Sequence, residues 1–226
     1  MQRSYRSGES GFTLIELMIG LLIGLIVLSG ATYIFVITVK SSRDVMYSAR
    51  LNQELAAAVS IITGDIRRAG AWRQVAGNSS PYSDIGLDFK VISASCVLYN
   101  YDEDGNGAIE PDEYHGVRLQ NSVLELKYLG TTTNMSDCSL LTDQWVPITD
   151  DNFMAVTEAT FTDESVCLIN GTVSAAAPAC PSSVGSDEVG FVRKVSVKIK
   201  AEVNSDRDWK KTVEESVRLR NDFYAR

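Results

Sequence analysis

Hydrophobic and polar positions divide the chain into three regimes. From Leu17 to Val39 no residue is charged; as a helix rising about 1.5 Å per residue, this run reaches about 35 Å, a little more than a bilayer core. After Lys40 the apolar residues thin to a stripe, Leu51, Leu55, Val59, Ile62 and Ile66, at three- and four-residue steps. Asn52, Gln53, Ser60 and Arg67 fall on the other side. That spacing is the period of an amphipathic helix. No proline interrupts Phe12 to Ala69, so the two patterns predict one continuous helix. Its first half suits a membrane, its second half suits packing on a soluble domain, and Gly70 is its stop.

Beyond a loop-like stretch from Ala71 to about Lys90, with Gly77-Asn78-Ser79-Ser80-Pro81 inside it, the period changes to two. Predicted strands are Val91–Tyr99, Tyr114–Gln120 and Val123–Leu129, the last two joined by an Asn121-Ser122 turn. Gly130–Asp151 reads as mostly irregular, a short strand follows near Ala155–Phe161, and Asn170–Asp187, rich in Ser, Ala, Gly and Pro, reads as a loop. Val195, Val197, Ile199, Ala201 and Val203 alternate with Lys194, Ser196, Lys198, Lys200 and Glu202, the clearest half-buried strand in the chain. A last strand is expected at about Thr212–Arg220. The fold class is therefore α+β: a long N-terminal helix whose second half lies against an antiparallel sheet.

Charge changes the picture in two places. The net charge of −8 argues against nucleic acid as a partner, since phosphate binding needs a clustered basic footprint. Arg3 and Arg6 precede the apolar run and Lys40 and Arg43 follow it; the short basic N-terminal side favours a cytoplasmic N-terminus. The run is too long for the core of a signal peptide, and Ser29-Gly30-Ala31 in its middle is a poor cleavage site, so it reads as an anchor that stays. The exception to its apolar character is Glu16, one carboxylate at its leading edge.

Asp102 to Glu113 carries candidate metal chemistry. Oxygen side chains stand at Asp102, Asp104, Asn106 and Glu110, Ala108 offers a backbone carbonyl, Gly107 occupies the sharp turn, Ile109 the apolar centre, and Glu113 closes the loop. This is the ligand spacing of a twelve-residue calcium loop, so Ca2+ is the expected cofactor. The flanks, Val97-Leu98-Tyr99 and Tyr114–Leu119, read as strands instead of helices, which implies no helix pair to open and no sensor role. A solvated acidic hairpin loop is the alternative, with the same Gly, Asn and Asp content.

The four cysteines, Cys96, Cys138, Cys167 and Cys180, all lie in the soluble part and form no C-x-x-C pair. With a single histidine, His115, zinc is not indicated, and two disulfides in an oxidising compartment are expected. Of the three possible connectivities, Cys96–Cys138 and Cys167–Cys180 are preferred, the second closing a short loop of small residues. No G-x-S-x-G, H-E-x-x-H or phosphate-cradling glycine loop is present, and no nucleophile–base pair suggests itself, so an enzyme is not expected. Trp72, Trp145 and Trp209 are read as packing residues.

The segment Gly11-Phe12-Thr13-Leu14-Ile15-Glu16-Leu17-Met18, after a short basic leader and before a long apolar helix, resembles the processing site of type IV prepilins and of the related pseudopilins of type II secretion. The resemblance implies that a prepilin peptidase cuts after Gly11 and methylates the new N-terminus, Phe12. It also implies a type IV pilin-like fold. Glu16 would then pair with the free amine of a neighbour's Phe12, neutralising two charges and setting the register between subunits. A lone buried carboxylate otherwise costs several kcal/mol or takes up a proton. Gly64-Asp65-Ile66-Arg67-Arg68-Ala69-Gly70 and Val217-Arg218-Leu219-Arg220-Asn221 resemble the helix end and the terminal strand of PilW-type minor pilins, and the first, more loosely, of J-type minor pseudopilins. One departure from major pilins is the absence of proline midway along the anchor, where Ala31-Thr32-Tyr33 stands.

The resemblance implies the following organisation: leader 1–11, membrane or filament-core helix 12–39, amphipathic helix 40–70, and a periplasmic β-sheet domain 71–226 carrying the acidic loop 102–113. The implied function is a minor pilin for type IV pilus assembly or initiation. A minor pseudopilin is the near alternative, and a membrane-anchored periplasmic binding protein or enzyme the distant one. Implied partners are the major pilin, other minor pilins met through the Leu51–Ile66 helix, the prepilin peptidase and the inner-membrane assembly platform. The implied location is the inner membrane, then a filament, at its tip.

Overall fold

The computed structural model describes residues 11–73, 88–129, 135–138, 144–176, 189–220 and 224–225. Its one long helix, α1, spans Leu14–Ile66, as the uninterrupted pattern requires. Strands follow as β1 (Phe89–Ser93), β2 (Cys96–Asn100), β3 (Tyr114–Gln120), β4 (Val123–Leu129), β5 (Gln144–Pro147), β6 (Met154–Asp163), β7 (Val166–Ile169), β8 (Thr172–Ala176), β9 (Val189–Val192), β10 (Lys194–Val203), β11 (Asp206–Arg218) and β12 (Tyr224–Ala225). They form three antiparallel sheets, ordered β1-β2-β3-β4-β5, β11-β10-β6 and β12-β9-β7-β8.

The chain divides into two compact units, the first ending at Tyr47 and the second beginning at Ser48. In the first, the side chains of α1 from Leu14 to Val39 are exposed along the whole run, and α1 is long and apolar enough to cross a membrane. Its hydroxyls do not break the apolar character. Ser29, Thr32, Thr38 and Ser42 each bond to the carbonyl four residues earlier, at 2.7–2.9 Å, which satisfies them within the helix itself.

In the second unit, Leu51, Leu55, Ala58, Val59, Ile62, Thr63 and Ile66 are buried. The core joins them to Val97, Tyr99, Val117, Leu124, Met154, Val156, Phe161, Val195, Val197, Ile199, Ala201 and Val203. Each fully buried Leu, Ile or Val contributes about 1.5–3 kcal/mol. The Leu51–Ile66 stripe is thus used inside its own domain, as the amphipathic pattern predicts. The side of α1 left exposed carries Gln53, Ala57, Ser60, Ile61 and Gly64.

At its end, α1 is locked to the β2–β3 hairpin. The Tyr99 and Tyr101 hydroxyls donate to the two oxygens of Asp65 at 2.6 and 2.9 Å, and the Arg68 guanidinium lies 4.1 Å over the Tyr101 ring. Burial, reinforced by the Asp65 charge, pushes both phenols well above their ordinary range, so they stay donors at any physiological pH. Gly70 then takes φ +73° against the buried Asp88–Arg193 ion pair. A side chain there would collide with Asp88, and the left-handed backbone favours glycine in any case.

Two expectations need correction. Val91–Tyr99 is two strands, because Ala94 and Ser95 turn the chain between β1 and β2. Their carbonyls accept from Phe161 and Leu119, a tertiary arrangement that alternation alone does not reveal. Within Gly130–Asp151, expected to be mostly irregular, the described residues include one short strand, β5, paired with β4. Asn170–Asp187 begins as strand: Asn170 and Gly171, both at positive φ, make a tight turn from β7 into β8. The Asn121-Ser122 turn stands as expected, with φ 50° and 64°, the backbone that two-residue hairpin loops need. β6, β10 and β11 appear where predicted; β6 is longer, β10 has the expected bounds, and β11 reaches back to Asp206.

Cys96 and Cys138 are joined, as expected. Cys167 is also disulfide-bonded; its expected partner, Cys180, lies outside the described residues. Replacing Asp65 with Ala removes a charged acceptor from two buried hydroxyls. The expected cost is about 2–4 kcal/mol, read as a lowered urea midpoint for the full chain in detergent. An unchanged midpoint would mean that the clamp contributes nothing to stability.

Candidate functional site

Two groups of residues carry candidate function. At the N-terminal end, Gly11, Phe12 and Thr13 are exposed and precede the helix, so the Gly11–Phe12 bond lies in non-helical backbone, the form a peptidase can reach. Phe12 is 78 % exposed. Thr13 caps α1: the Glu16 amide donates to Thr13 Oγ1 at 3.4 Å and to the Thr13 carbonyl at 3.1 Å. Glu16 thereby stands in the first turn, where the unpaired N–H groups of the helix end favour a negative charge. Thr13-Leu14-Ile15-Glu16 is a capping-box sequence, a local reason for the glutamate that sequence reading had available and did not use. Residues 1–10 of the expected leader 1–11 lie outside the described residues.

The second group is the tip of the β2–β3 hairpin. Asn100 pairs with Tyr114 at the ends of the two strands, and the acidic loop spans the gap, closing on a 3-10 turn at Pro111–Glu113. Ligand oxygens of Asp102, Asp104 and Glu113 lie within 4.8 Å of one another. Asn106 binds Asp104 Oδ2 and Glu110 Oε1 through its amide nitrogen, at 3.0 and 2.8 Å, and its Oδ1 accepts from the Ala108 amide at 2.8 Å. Gly105 and Gly107 take φ +74° and +84°, which lets the backbone curl around the carboxylates.

Backbone amides point inward throughout. Asp102 accepts from Gly105, Gly107 and Arg73 at 2.7–3.0 Å. Glu113 accepts from Glu103 at 2.6 Å and from Glu110 at 3.0 Å. Burial tends to raise the Asp102 carboxyl, but these amides outweigh it and hold it below the usual carboxylate range. Glu113 is only 4 % exposed, and there burial wins, pushing its carboxyl upward. Among the described residues no lysine or arginine ion pair reaches Asp102, Asp104 or Glu113. Three carboxylates converging without a cationic side chain form an arrangement that a metal ion would stabilise.

Of the six ligands expected from sequence, the structure brings Asp102, Asp104 and Glu113 together. It hangs Asn106 and Glu110 on them by hydrogen bonds and places the Ala108 amide on Asn106. His115 is buried. It stacks on Tyr101 with ring centroids 4.3 Å apart, its Nε2 is 4.0 Å from Glu103 Oε2, and burial holds its pKa below the usual value. It is part of the packing beneath the loop. Trp72 was read as a packing residue; its indole N–H also donates to the Gly107 carbonyl at 2.9 Å, a contact with no sequence signal because thirty-five positions separate the two residues.

A divalent cation held by these oxygens should raise the melting temperature by about 5–10 °C at a hundred times its Kd, and Asp102→Ala with Glu113→Ala should abolish the rise. Equal melting in calcium and in chelator would remove the site. The effect is also pH-dependent. Glu113 has a raised folded-state pKa, so its cation-free contribution is fully present below the unfolded value and lost as pH rises through the folded one. A cation takes the proton's place, so the increment should be largest above that range and shrink on acidification.

Comparison with known proteins places these features. The model of the prepilin peptidase-dependent protein B family matches residues 44–219, and that of the prokaryotic N-terminal methylation motif matches residues 6–32. No curated protein and no solved structure matches the chain. The first match covers most of the sequence, from the middle of α1 to the end of β11, and the second covers Gly11, Phe12, Glu16 and the apolar run as far as Thr32. The chain is a prepilin-like protein and belongs to the prepilin peptidase-dependent protein B family.

Proposed function

We propose that the chain is a minor pilin subunit that enters or primes a type IV pilus through its N-terminal helix. The observation that carries this reading is the conjunction of a methylation motif ending in a bare apolar helix with a separately packed antiparallel domain of the prepilin peptidase-dependent B family. Such a family suggests a structural subunit, not an enzyme.

In this reading residues 1–11 are the leader, 12–39 anchor the chain in the inner membrane and later in the filament core, 40–70 extend the helix, and 71–226 form the periplasmic domain. The prepilin peptidase cuts between Gly11 and Phe12, and the new amine is methylated. Glu16, lying at the edge of an apolar span, pairs with the Phe12 amine of a neighbouring subunit. Each charge removes the other's desolvation cost, which in hydrocarbon amounts to several kcal/mol. The helix face of Gln53, Ala57, Ser60, Ile61 and Gly64, free of the core, meets the major pilin or other minor pilins. The assembly platform receives the membrane half. The Asp102–Glu113 loop holds Ca2+, whose preference for six to eight oxygen ligands its side chains and carbonyls suit; the ion stiffens the domain.

The neighbouring reading is a minor pseudopilin of type II secretion, which would use the same anchor chemistry. Deleting the gene and scoring sheared surface pili and enzyme release in one culture separates the two. Loss of pili with normal release supports the minor pilin; loss of release with normal pili moves the protein to the pseudopilus. The anchor chemistry has its own test. Glu16→Leu should leave cleavage at Gly11 intact, seen as the mature gel mobility, and reduce recovery in the filament fraction at least tenfold. Normal recovery would refute the charge-pairing role.

A further inference from the structure

The acidic loop does not stand clear of the domain, and the way it is held has a consequence for α1. Beyond the helix end, Gly70, Ala71, Trp72 and Arg73 each bond to the β2–β3 hairpin or its loop. The Gly70 amide donates to the Asn100 carbonyl at 2.9 Å, and the Ala71 carbonyl accepts from the Asp102 amide at 2.8 Å. Trp72 Nε1 donates to the Gly107 carbonyl at 2.9 Å, and the Arg73 amide donates to Asp102 Oδ2 at 3.0 Å. Two of the loop residues gripped in this way belong to the calcium spacing itself. Asp102 is its first ligand. Gly107, at φ +84°, makes its sharp turn, and the Gly107 amide donates to the same Asp102 oxygen at 3.0 Å. The Arg73 side chain lies against Gly105, where an added side chain would meet its Cδ at 3.4 Å.

We infer that the loop is a cation-dependent latch on the exit of α1, with Trp72 as the residue that transmits occupancy to the helix end; this rests on the reading of the loop as a calcium site. The physical reason is shared geometry. A cation on Asp102, Asp104 and Glu113 fixes the Asp102 carboxylate and the Gly107 turn. Those are the two points to which Arg73 and Trp72 are tied, so the ion also fixes the strand of chain leaving α1. Without the cation, the three carboxylates repel, Asp102 and the Gly107 carbonyl lose their fixed positions, and the bonds to Trp72 and Arg73 weaken with them. Linkage makes the effect reciprocal: a docked helix exit must raise the cation affinity of the loop by the same factor. Trp72 is a positioning residue here, since it touches the loop backbone and not the ion.

The test uses the full chain in detergent, with calcium and terbium as probes. Amide exchange of the segment 67–73 should slow at least tenfold in calcium relative to chelator, while exchange in the β10–β11 hairpin stays unchanged. Trp72→Phe, which keeps the ring and loses the N–H, should weaken calcium binding by about threefold to tenfold, the worth of one hydrogen bond. It should also lose most tryptophan-sensitised terbium emission while directly excited terbium still binds. If calcium binds both proteins equally and exchange at 67–73 ignores it, the latch is refuted and the calcium site stands. If neither ion binds the unaltered chain, the calcium reading fails and the latch with it. The comparison of the unaltered chain with and without calcium decides the matter even if Trp72→Phe does not fold.

Discussion

The Asp65 carboxylate, accepting from two tyrosine hydroxyls, is the interaction on which the arrangement of the second unit depends. An amphipathic helix and a meander of strands bury their apolar faces through a non-directional force, which sets neither the axial position of the helix nor its rotation to within a turn. Asp65 supplies both. Tyr99 is fully buried on β2 and Tyr101 directly follows that strand, so the clamp pins the last turn of α1 to one place on one hairpin. Gly70 and the Asp88–Arg193 pair then redirect the chain. At the other end of the packed segment, Arg50 performs a weaker version of the same task, bonding Glu54 and Asp150 and lying 4.0 Å over the Phe153 ring. It is largely solvated, and exposed ion pairs contribute little.

The hairpin fixed by Asp65 is the one that carries the acidic loop, so helix end and loop share a foundation. Clustered carboxylates cost free energy unless donors or cations answer them. Here eight backbone amides, from Arg73, Glu103, Asp104, Gly105, Asn106, Gly107, Ala108 and Glu110, turn toward side-chain oxygens of the loop. They answer part of the charge. Glu113, nine-tenths buried and raised by burial, carries what is left.

The anchor follows a different logic. Among the described residues of the first unit nothing packs on the apolar side chains of α1, and the acidic group of its membrane-length run, Glu16, sits at N3, where the helix terminus tolerates it. A helix cap accounts for the position of Glu16 along the chain. It does not account for a carboxylate kept among apolar residues, which is what the proposed pairing with a neighbouring subunit's amine addresses.

By itself, the sequence determined the long helix, because an uncharged run followed by a strict apolar stripe leaves no other way to satisfy the backbone. It determined β3, β4, their Asn121-Ser122 turn and the β10 alternation, since period and turn chemistry are local. The ligand spacing of Asp102–Glu113 and the Gly11–Glu16 motif were legible for the same reason: both are written in consecutive residues. The tertiary structure alone decided the split of Val91–Tyr99 at Ala94 and the pairing of β5. It also decided that His115 is buried, that Asp65 is a clamp, and that Trp72 reaches Gly107. Each of these depends on groups well separated along the chain being brought within about 3–4 Å, and no local period encodes which distant partner a side chain will find.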